Sequence, residues 1–505
     1  MANHNRATRL RVPEWLLRLF RFLLRLYNSL KRRLRWRRKR RYVIEHVIVL
    51  MLENRSFDHM LGYLPHPGAL TGDEFNPVEP SNPNSERVYV NDKADYITEI
   101  DPAHDFVNVN RQMLGDPGHV SYPMPMNGFV KDYMDKAAGD VETGKKIMEC
   151  FEPDKLPALR TLAQEFCLCN RWFSSVPGPT WPNRFYVHAA TSDGKVTNDV
   201  AHIYAMDTIY DSLAASGLSW NIYYVDIPQS LALQRLWDDL DHFRGFERFH
   251  DDVDNGELAN YTFIEPRYFD FLDWKANDQH PPHDVRLGEY LIAEIYDTLR
   301  KSKFWEKSLL IVLYDEHGGF FDHVSPPGAV PNPDGRASDD PRFDFTRLGV
   351  RVPAVLVSPL VERGRVDSAL YEHASIPATI KNLFRLPKHL TARDEAAGTF
   401  ETNLSRRTPR TDAPLTLPVP GELEDIRYHR ELLRSSILEE QIRGEAAGGE
   451  ISREPLSDFQ EALVELADRL NEGLAPEAQP RSYQVRTEHE AAVYIQECLA
   501  RFLKR

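Results

Sequence analysis

The chain has 505 residues, 42% hydrophobic and 27% charged, a balance that excludes a disordered chain, a coiled coil and a collagen-like fibre. Its net charge of −14 is unevenly shared: residues 1–41 carry 13 Arg, 2 Lys and one Glu, leaving 47 basic and 75 acidic residues elsewhere, a net of −28. An acidic body excludes a duplex-DNA reader, whose folded surface would be positive, so no specific nucleic-acid partner is expected.

The first element is basic. Residues 15–30 read WLLRLFRFLLRLYNSL, with Arg18, Arg21, Arg25, Asn28 and Arg32 three or four apart on one stripe of a helix and apolar residues on its other sides. KRRLRWRRKRR (31–41) comes next. This is the composition of an amphipathic helix lying in an anionic membrane surface. A tail contacting RNA or DNA, an organellar transit peptide and a helix docked on the acidic body share it. Arginines interrupt the apolar stretch and no small-residue cleavage site comes after it, so no cleavable secretory signal is recognised. No run of 18 uncharged apolar residues reads as a membrane span. A cytoplasmic or peripheral-membrane location is expected, with non-classical export left open.

The body begins with residues 42–52 (YVIEHVIVLML), the pattern of a strand buried on both faces, which runs into Glu53-Asn54-Arg55-Ser56-Phe57-Asp58-His59. A Pro/Gly/Asp-rich stretch at 65–83 reads as a surface loop, and His104 lies beyond it in Pro102-Ala103-His104-Asp105. Cys150, Cys167, Cys169 and Cys498 are too few for a disulfide scaffold, and buried free thiols are expected. Pro177-Gly178-Pro179-Thr180-Trp181-Pro182-Asn183-Arg184 leads into a helix over 184–190, with Pro182 suited to a first helical turn. Thr180 there reads either as a helix cap or as a hydroxyl placed where N-terminal N–H groups stabilise a phosphate and an alkoxide. His280 precedes a helix over 285–300, and a second buried strand over 308–314 (SLLIVLY) runs into Asp315-Glu316-His317-Gly318-Gly319. His323 and a second loop at 325–344 come next, then a third apolar run over 352–358. Beyond about residue 410 the chain turns helical: Leu456, Phe459, Leu463, Leu466 and Leu470 mark one amphipathic helix, and a second runs to Arg505, with the stretch over 445–454 separating this tail from what precedes it.

Strands alternating with helices predict a mostly parallel sheet covered on both faces, in which ligands bind beyond the carboxyl ends of strands. Two such ends offer Glu53, Asn54, Asp315 and Glu316, oxygen donors suited to a hard divalent cation; each alone also reads as a cap or turn residue. Calcium, magnesium or manganese fits an all-oxygen set best, with zinc the weaker fit. Metal coordination would supply the activation that a threonine hydroxyl lacks at its ordinary pKa. His104, His280 and His323 flank these strand ends as candidates for proton transfer or phosphate contact. No P-loop, G-x-G-x-x-G, G-x-S-x-G or H-E-x-x-H pattern occurs.

Five blocks, EHVIVLMLENRSFDHMLGYL (45–64), PGPTWPNRFYVHAATSDG (177–194), EPRYFDFLDWKANDQHPPHDV (265–285), LLIVLYDEHGGFFDHVSPP (309–327) and GVRVPAVLVSPLV (349–361), resemble in order the bacterial phosphoesterase family of non-haemolytic phospholipases C and related acid phosphatases. The resemblance spans about residues 42–400 and implies an alkaline phosphatase-like α/β/α sandwich. It implies metal binding by Glu53, Asn54, Asp315 and Glu316, with Thr180 as both ligand and nucleophile. His280 would contact the phosphoryl group or protonate the leaving alcohol, with His104 and His323 as further active-site histidines and His202 as one candidate for another. The implied reaction is phospholipase C-type cleavage, in which Thr180 displaces diacylglycerol and the threonine adduct is then hydrolysed. A phosphomonoesterase of the acid-phosphatase kind and a non-catalytic membrane-associated scaffold are the alternatives. Trp181, Tyr186, Tyr223 and Tyr224 are aromatic candidates for caging a choline head group. The tail departs from larger members of the family, which carry C-terminal β-domains and an export signal. The expected division is a basic segment (1–41), a catalytic domain (42–410) and a helical C-terminal region (411–505).

Overall fold

The computed structural model describes residues 44–115, 120–271, 274–421, 455–472 and 485–503; the basic segment over 1–41 and the spacer over 445–454 lie outside them. Eight strands form the central sheet: β1 (His46–Leu52), β2 (Cys167–Cys169), β3 (Trp220–Tyr224), β4 (Phe243–Gly245), β5 (Tyr261–Ile264), β6 (Ser308–Tyr314), β7 (Ala354–Val357) and β8 (Arg365–Asp367). Their spatial order is β8-β2-β7-β6-β1-β5-β3-β4. β7 runs antiparallel to β6 and β2, and every other neighbouring pair is parallel. All residues of β1 and β6 are buried, as their unbroken apolar runs require of central strands packed on both faces. The mixed α/β architecture with a mostly parallel sheet is the expected one. The sequence pattern yields β1, β6 and β7; the shorter strands β2, β3, β4, β5 and β8 are absent from it, as is the direction of β7, because an all-apolar strand fills both faces whichever way it runs.

Five helices position or buttress the strand ends: α1 (Phe57–Leu61), α2 (Thr180–Ala189), α3 (Val285–Lys301), α4 (Asp458–Glu472) and α5 (Glu488–Phe502). α2 begins at Thr180, four residues before the expected helix, with Pro179 as its N-cap. Pro182 falls in the first turn, where backbone N–H groups have no intrahelical acceptor to lose. α3 starts where expected, capped by Asp284, whose side chain accepts from the Arg286 N–H. In the tail, Phe459, Leu463, Leu466 and Leu470 of α4 and Ile495, Leu499 and Phe502 of α5 join the same hydrophobic cluster as β1 and β6. Burying these faces, rather than helix propensity, holds the tail against the sheet domain.

The 65–83 stretch is not all loop, since Phe75–Pro77 pairs antiparallel with Arg87–Tyr89. Cys150, Cys167, Cys169 and Cys498 are free and buried. Among the described residues no helix is long and apolar enough to cross a membrane.

Candidate active site

The sheet register pairs Leu52 with Tyr314, so β1 and β6 end side by side and Glu53 and Asp315 leave the same edge together. The backbone then knits these exits to each other. Asp315 N donates to Leu52 O at 3.1 Å, Arg55 N to Glu316 O at 3.1 Å, and Glu53 N to Asp278 O at 2.9 Å. Asn54 sits in the left-handed region at φ 54°, which asparagine tolerates better than most residues, and its N–H donates to Asp315 Oδ1 at 3.1 Å. Gly318, at φ 62°, lies so close that a Cβ would stand 2.2 Å from Asn54 O. Glycine alone lets the two loops approach this far.

Glu53, Asn54, Thr180, Asp315 and Glu316 are all fully buried. Among the described residues, Glu53 Oε2, Asn54 Oδ1, Thr180 Oγ1 and Glu316 Oε1 find no hydrogen-bond partner. Buried polar atoms without partners are costly, and oxygens of this kind at one strand edge and one helix N-terminus are the donor type that a hard cation takes. Electrostatics agrees. Burial, reinforced by the Asp315 charge and only partly offset by Arg184, pushes the Glu53 carboxyl well above the ordinary carboxylate range. Burial likewise pushes Asp315 up to about 6, against the opposing pull of Arg184. Such a cluster is ionised together only when positive charge accompanies it.

Thr180 is the first residue of α2 and makes no side-chain cap bond. Four residues on, and on the same helix face, the buried Arg184 guanidinium contacts Glu53 Oε1 through Nη2 at 2.7 Å and Asp315 Oδ2 through Nε at 3.1 Å. That shared face relates Thr180 to the two strand-end carboxylates. Arg184 went unnoticed in the sequence; its one signal was a charge one turn along the helix from Thr180.

The histidines divide. His104 Nε2 lies 3.3 Å from Asn54 Nδ2 and its Nδ1 2.8 Å from Pro102 O; burial opposes its charge, but Asp101 and Glu316 outweigh it and raise its pKa to about 9. His280 stands edge-on to His104 with ring centroids 5.7 Å apart. Its Nδ1 is directed at Pro281 O, its Nε2 is buried without a partner, and burial holds its pKa well below the usual histidine range. Asp101, His104 and His280 bring one ligand atom each within 4.8 Å of one another. His323 makes its contacts in a separate cluster: its Nδ1 meets Asp58 Oδ2 at 2.6 Å, and Arg351 bridges Asp58 (2.8 Å) and Asp322 (2.9 Å). Together with the bond from Ser56 Oγ to Phe321 O at 2.6 Å, this network staples the chain after β1 to the chain after β6. His202 pairs with Asp193 at 2.6 Å. Of the proposed cage aromatics, Tyr186 lies under Arg393 and Tyr223 donates to Asp252, so both are engaged elsewhere.

Sequence reasoning also missed the far side of the His280 loop. His283 Nδ1 meets Asp278 Oδ1 at 2.7 Å, and its Nε2 meets Glu488 Oε1, at the start of α5, at 3.2 Å. Burial opposes the charge on His283, but Asp278 and Glu488 outweigh it and raise its pKa well above the usual range. The helical tail therefore touches the loop that carries His280. Only a fold can bring residues 205 positions apart into that contact.

The family model described as Phosphoesterase family matches residues 44–387. The chain is 39% identical to non-specific phospholipase C3 of Arabidopsis thaliana over 91% of this chain and 88% of that protein. It is 44% identical to non-specific phospholipase C1 of the same plant over 74% of each. Among solved structures, a protein in the alkaline phosphatase superfamily from Vibrio parahaemolyticus matches 58% of this chain and 82% of its own, with 12% identity and a TM-score of 0.30.

Proposed function

Since the chain belongs to the Phosphoesterase family and is a phosphoric ester hydrolase, we propose that it cleaves phospholipids in the phospholipase C manner, with Thr180 as the nucleophile. The observation that carries this reading is the Thr180 hydroxyl itself: fully buried, unpartnered, and at the N-terminus of a helix whose next turn grips two strand-end carboxylates. The lipid substrate is supported by the relatives, which are named phospholipases C at 39% and 44% identity.

Glu53, Asn54, Thr180, Asp315 and Glu316 would hold a hard divalent cation, calcium, magnesium or manganese before zinc, which when bound neutralises phosphoryl charge and acidifies a coordinated hydroxyl. The chain's own groups do the rest. Thr180 Oγ attacks phosphorus in line with the diacylglycerol oxygen, the P–O bond to diacylglycerol breaks, and the phosphorylated head group is left on Thr180. His280, neutral and with a free Nε2, accepts the hydroxyl proton and passes it to solvent, while the leaving alkoxide on the far side of phosphorus takes a proton from water. Water then hydrolyses the adduct by the same proton path in reverse, restoring the hydroxyl. The α2 N-terminus supplies the positive end of the helix dipole to the anionic phosphate, although in its first turn the Trp181 N–H is taken by Asn198 Oδ1 at 2.9 Å and Pro182 has none to offer. His104, tied to Asn54 and Pro102, positions the ligand loop and faces His280. His323 positions rather than contacts substrate, through Asp58.

In this reading residues 42–410 are the catalytic domain, residues 411–505 a helical region docked on it, and the basic segment over 1–41 an anchor to anionic membrane surfaces. The test is a paired assay on a chromogenic phosphorylcholine diester and the matching monoester, before and after metal removal. Diester hydrolysis that exceeds monoester hydrolysis, is lost on chelation and returns with manganese is the expected result. Monoester preference would move the assignment to the acid-phosphatase kind, and full activity in a metal-free preparation would remove the metal from the account.

A further inference from the structure

Of the ten large apolar side chains exposed among the described residues, seven fall within residues 75–122. Apolar side chains scattered singly need no explanation, but a concentration of them marks a contact surface. These residues belong to a unit whose own core joins Val109, Met113 and Phe129 to Phe320 and Phe321, just past the exit of β6. The exposed apolar surface therefore gathers at the carboxyl edge of the sheet, beside the candidate active site. One part of it borders Thr180. The helix Phe106–Leu114 starts two residues after His104, and a Cβ on Gly178 would stand 3.9 Å from that of Phe106. On this rim Val107 is 47% exposed and Tyr122 52%, with Val120 at 46% two residues before it.

Between Val107 and Tyr122 sits a cation without a counter-ion. Arg347 is 7% exposed and makes no ion pair among the described residues; its Nη2 donates to Asn110 Oδ1 at 2.5 Å and its Nε has no partner. Its Cζ lies 4.8 Å from the Phe343 ring centroid and 5.9 Å from that of Phe106. Asn110 stands three residues after Val107, and Tyr122 rests against Gly328, the antiparallel bridge partner of Arg347. The two carboxylates whose charge reaches Arg347 are engaged elsewhere, Asp340 with Arg342 at 2.5 Å and Asp344 with Thr346 Oγ1 at 2.6 Å. A buried, unpaired guanidinium is costly, and one set among apolar side chains matches a phosphate at the boundary of a lipid layer. We propose that this rim docks on a zwitterionic phospholipid surface, with Val107, Val120 and Tyr122 entering the headgroup–acyl boundary and Arg347 taking the phosphate of a lipid that is not being cleaved. The acidic body is repelled by an anionic surface but not by a zwitterionic one, so this docking is mainly apolar and holds in salt, unlike the anchor over residues 1–41. The inference rests on the phospholipid reading of the substrate.

The experiment mixes the full chain with phosphatidylcholine vesicles at about 1 M salt, where a Debye length of about 3 Å silences the basic segment. The native cysteines are buried, so Val107→Cys carries an environment-sensitive dye at that position alone. Leu415, 68% exposed, follows Pro414, whose carbonyl accepts from Tyr296 and Arg300 in the last turns of α3. Those turns lead towards the start of β6, so Leu415→Cys places the same dye at the opposite edge. A blue shift at position 107 and none at 415 is expected; no shift at 107, or equal shifts at both, overturns the inference. Val107→Ser/Tyr122→Ser, two exposed positions, should cut vesicle partition and hydrolysis of vesicle lipid by about tenfold or more while leaving a soluble diester unaffected. Partition within twofold of wild type overturns the inference. Arg347→Met, checked for folding by circular dichroism, should weaken partition by about threefold or more, and unchanged partition removes the phosphate contact. A chain that hydrolyses neither vesicle lipid nor soluble diester, while the dye still reports docking, brings down the phospholipase reading and leaves the surface standing.

Discussion

Replacing Thr180 by alanine separates the two readings of that residue, because the structure assigns them very different sizes. The hydroxyl makes no capping bond and no other hydrogen bond, and the side chain is fully buried. Removing an unsatisfied buried hydroxyl relieves a desolvation cost, while removing its methyl group forfeits about 0.8 kcal/mol of burial, so the net change in stability is within about 1 kcal/mol. In a chain of this size that shifts the melting temperature by about 2 °C at most. Loss of a nucleophile is another matter, costing about four decades in rate or more, equivalent to about 5.5 kcal/mol of activation free energy. The assay is initial-rate hydrolysis of the chromogenic diester, run beside thermal melts of the same preparations. Thr180→Ser, which keeps a hydroxyl at the same position, should retain far more activity than Thr180→Ala. A folded Thr180→Ala enzyme within tenfold of wild type would refute the nucleophile reading and leave Thr180 as a helix-starting residue only.

Two other expectations rest on separate parts of the molecule. Deleting residues 1–41 should leave hydrolysis of a soluble diester unchanged while weakening binding to anionic vesicles, with wild-type binding falling steeply as salt rises; equal vesicle binding by the truncated chain would sink the anchor reading, and a loss of RNA binding instead would favour a nucleic-acid tail. Arg351→Met leaves Asp58 and Asp322 buried without their bridging cation, and breaking a buried pair in this way costs about 3–5 kcal/mol. Urea unfolding reads that loss, and a cost below about 1 kcal/mol would mean the staple between the two ligand loops bears no weight. Although burial alone would raise the Asp58 carboxyl, Arg351 and His323 hold it below its ordinary range. The stability it contributes is therefore present above about pH 4 and fades as pH falls through the depressed folded value.

Much of this candidate site was legible along the chain because its carboxylates sit at the ends of the two most recognisable strands. An unbroken apolar run such as residues 308–314 has few outcomes other than a buried strand, and the acidic pair at its end must then emerge at a sheet edge. Thr180 was legible for a similar reason, since prolines on both sides mark a helix start. What stayed hidden depends on distance in sequence. Arg184 reads as an ordinary helix arginine until β1 and β6 bring Glu53 and Asp315 beneath it. His323 is a candidate by its place a few residues past a glycine turn, but nothing along the chain points to its partner, Asp58 of the other loop. Glu488 is the first residue of a tail helix by local pattern, and only packing of the amphipathic tail carries it to His283. The direction of β7 was hidden for a different reason: composition reports burial, and burial does not depend on which way a strand runs.

The central claim is that a phosphorus–oxygen bond forms to Thr180 during turnover. It is tested most directly by mixing the metal-loaded enzyme with a phosphorylcholine diester, quenching in acid within the first turnovers and mapping the peptides by mass spectrometry. The predicted result is phosphorylcholine on the peptide containing Thr180, accumulating when the second step is slowed and absent from Thr180→Ala. An adduct on His280 or another side chain, or product formed at the full rate in the first turnover with no adduct on any residue, would contradict it.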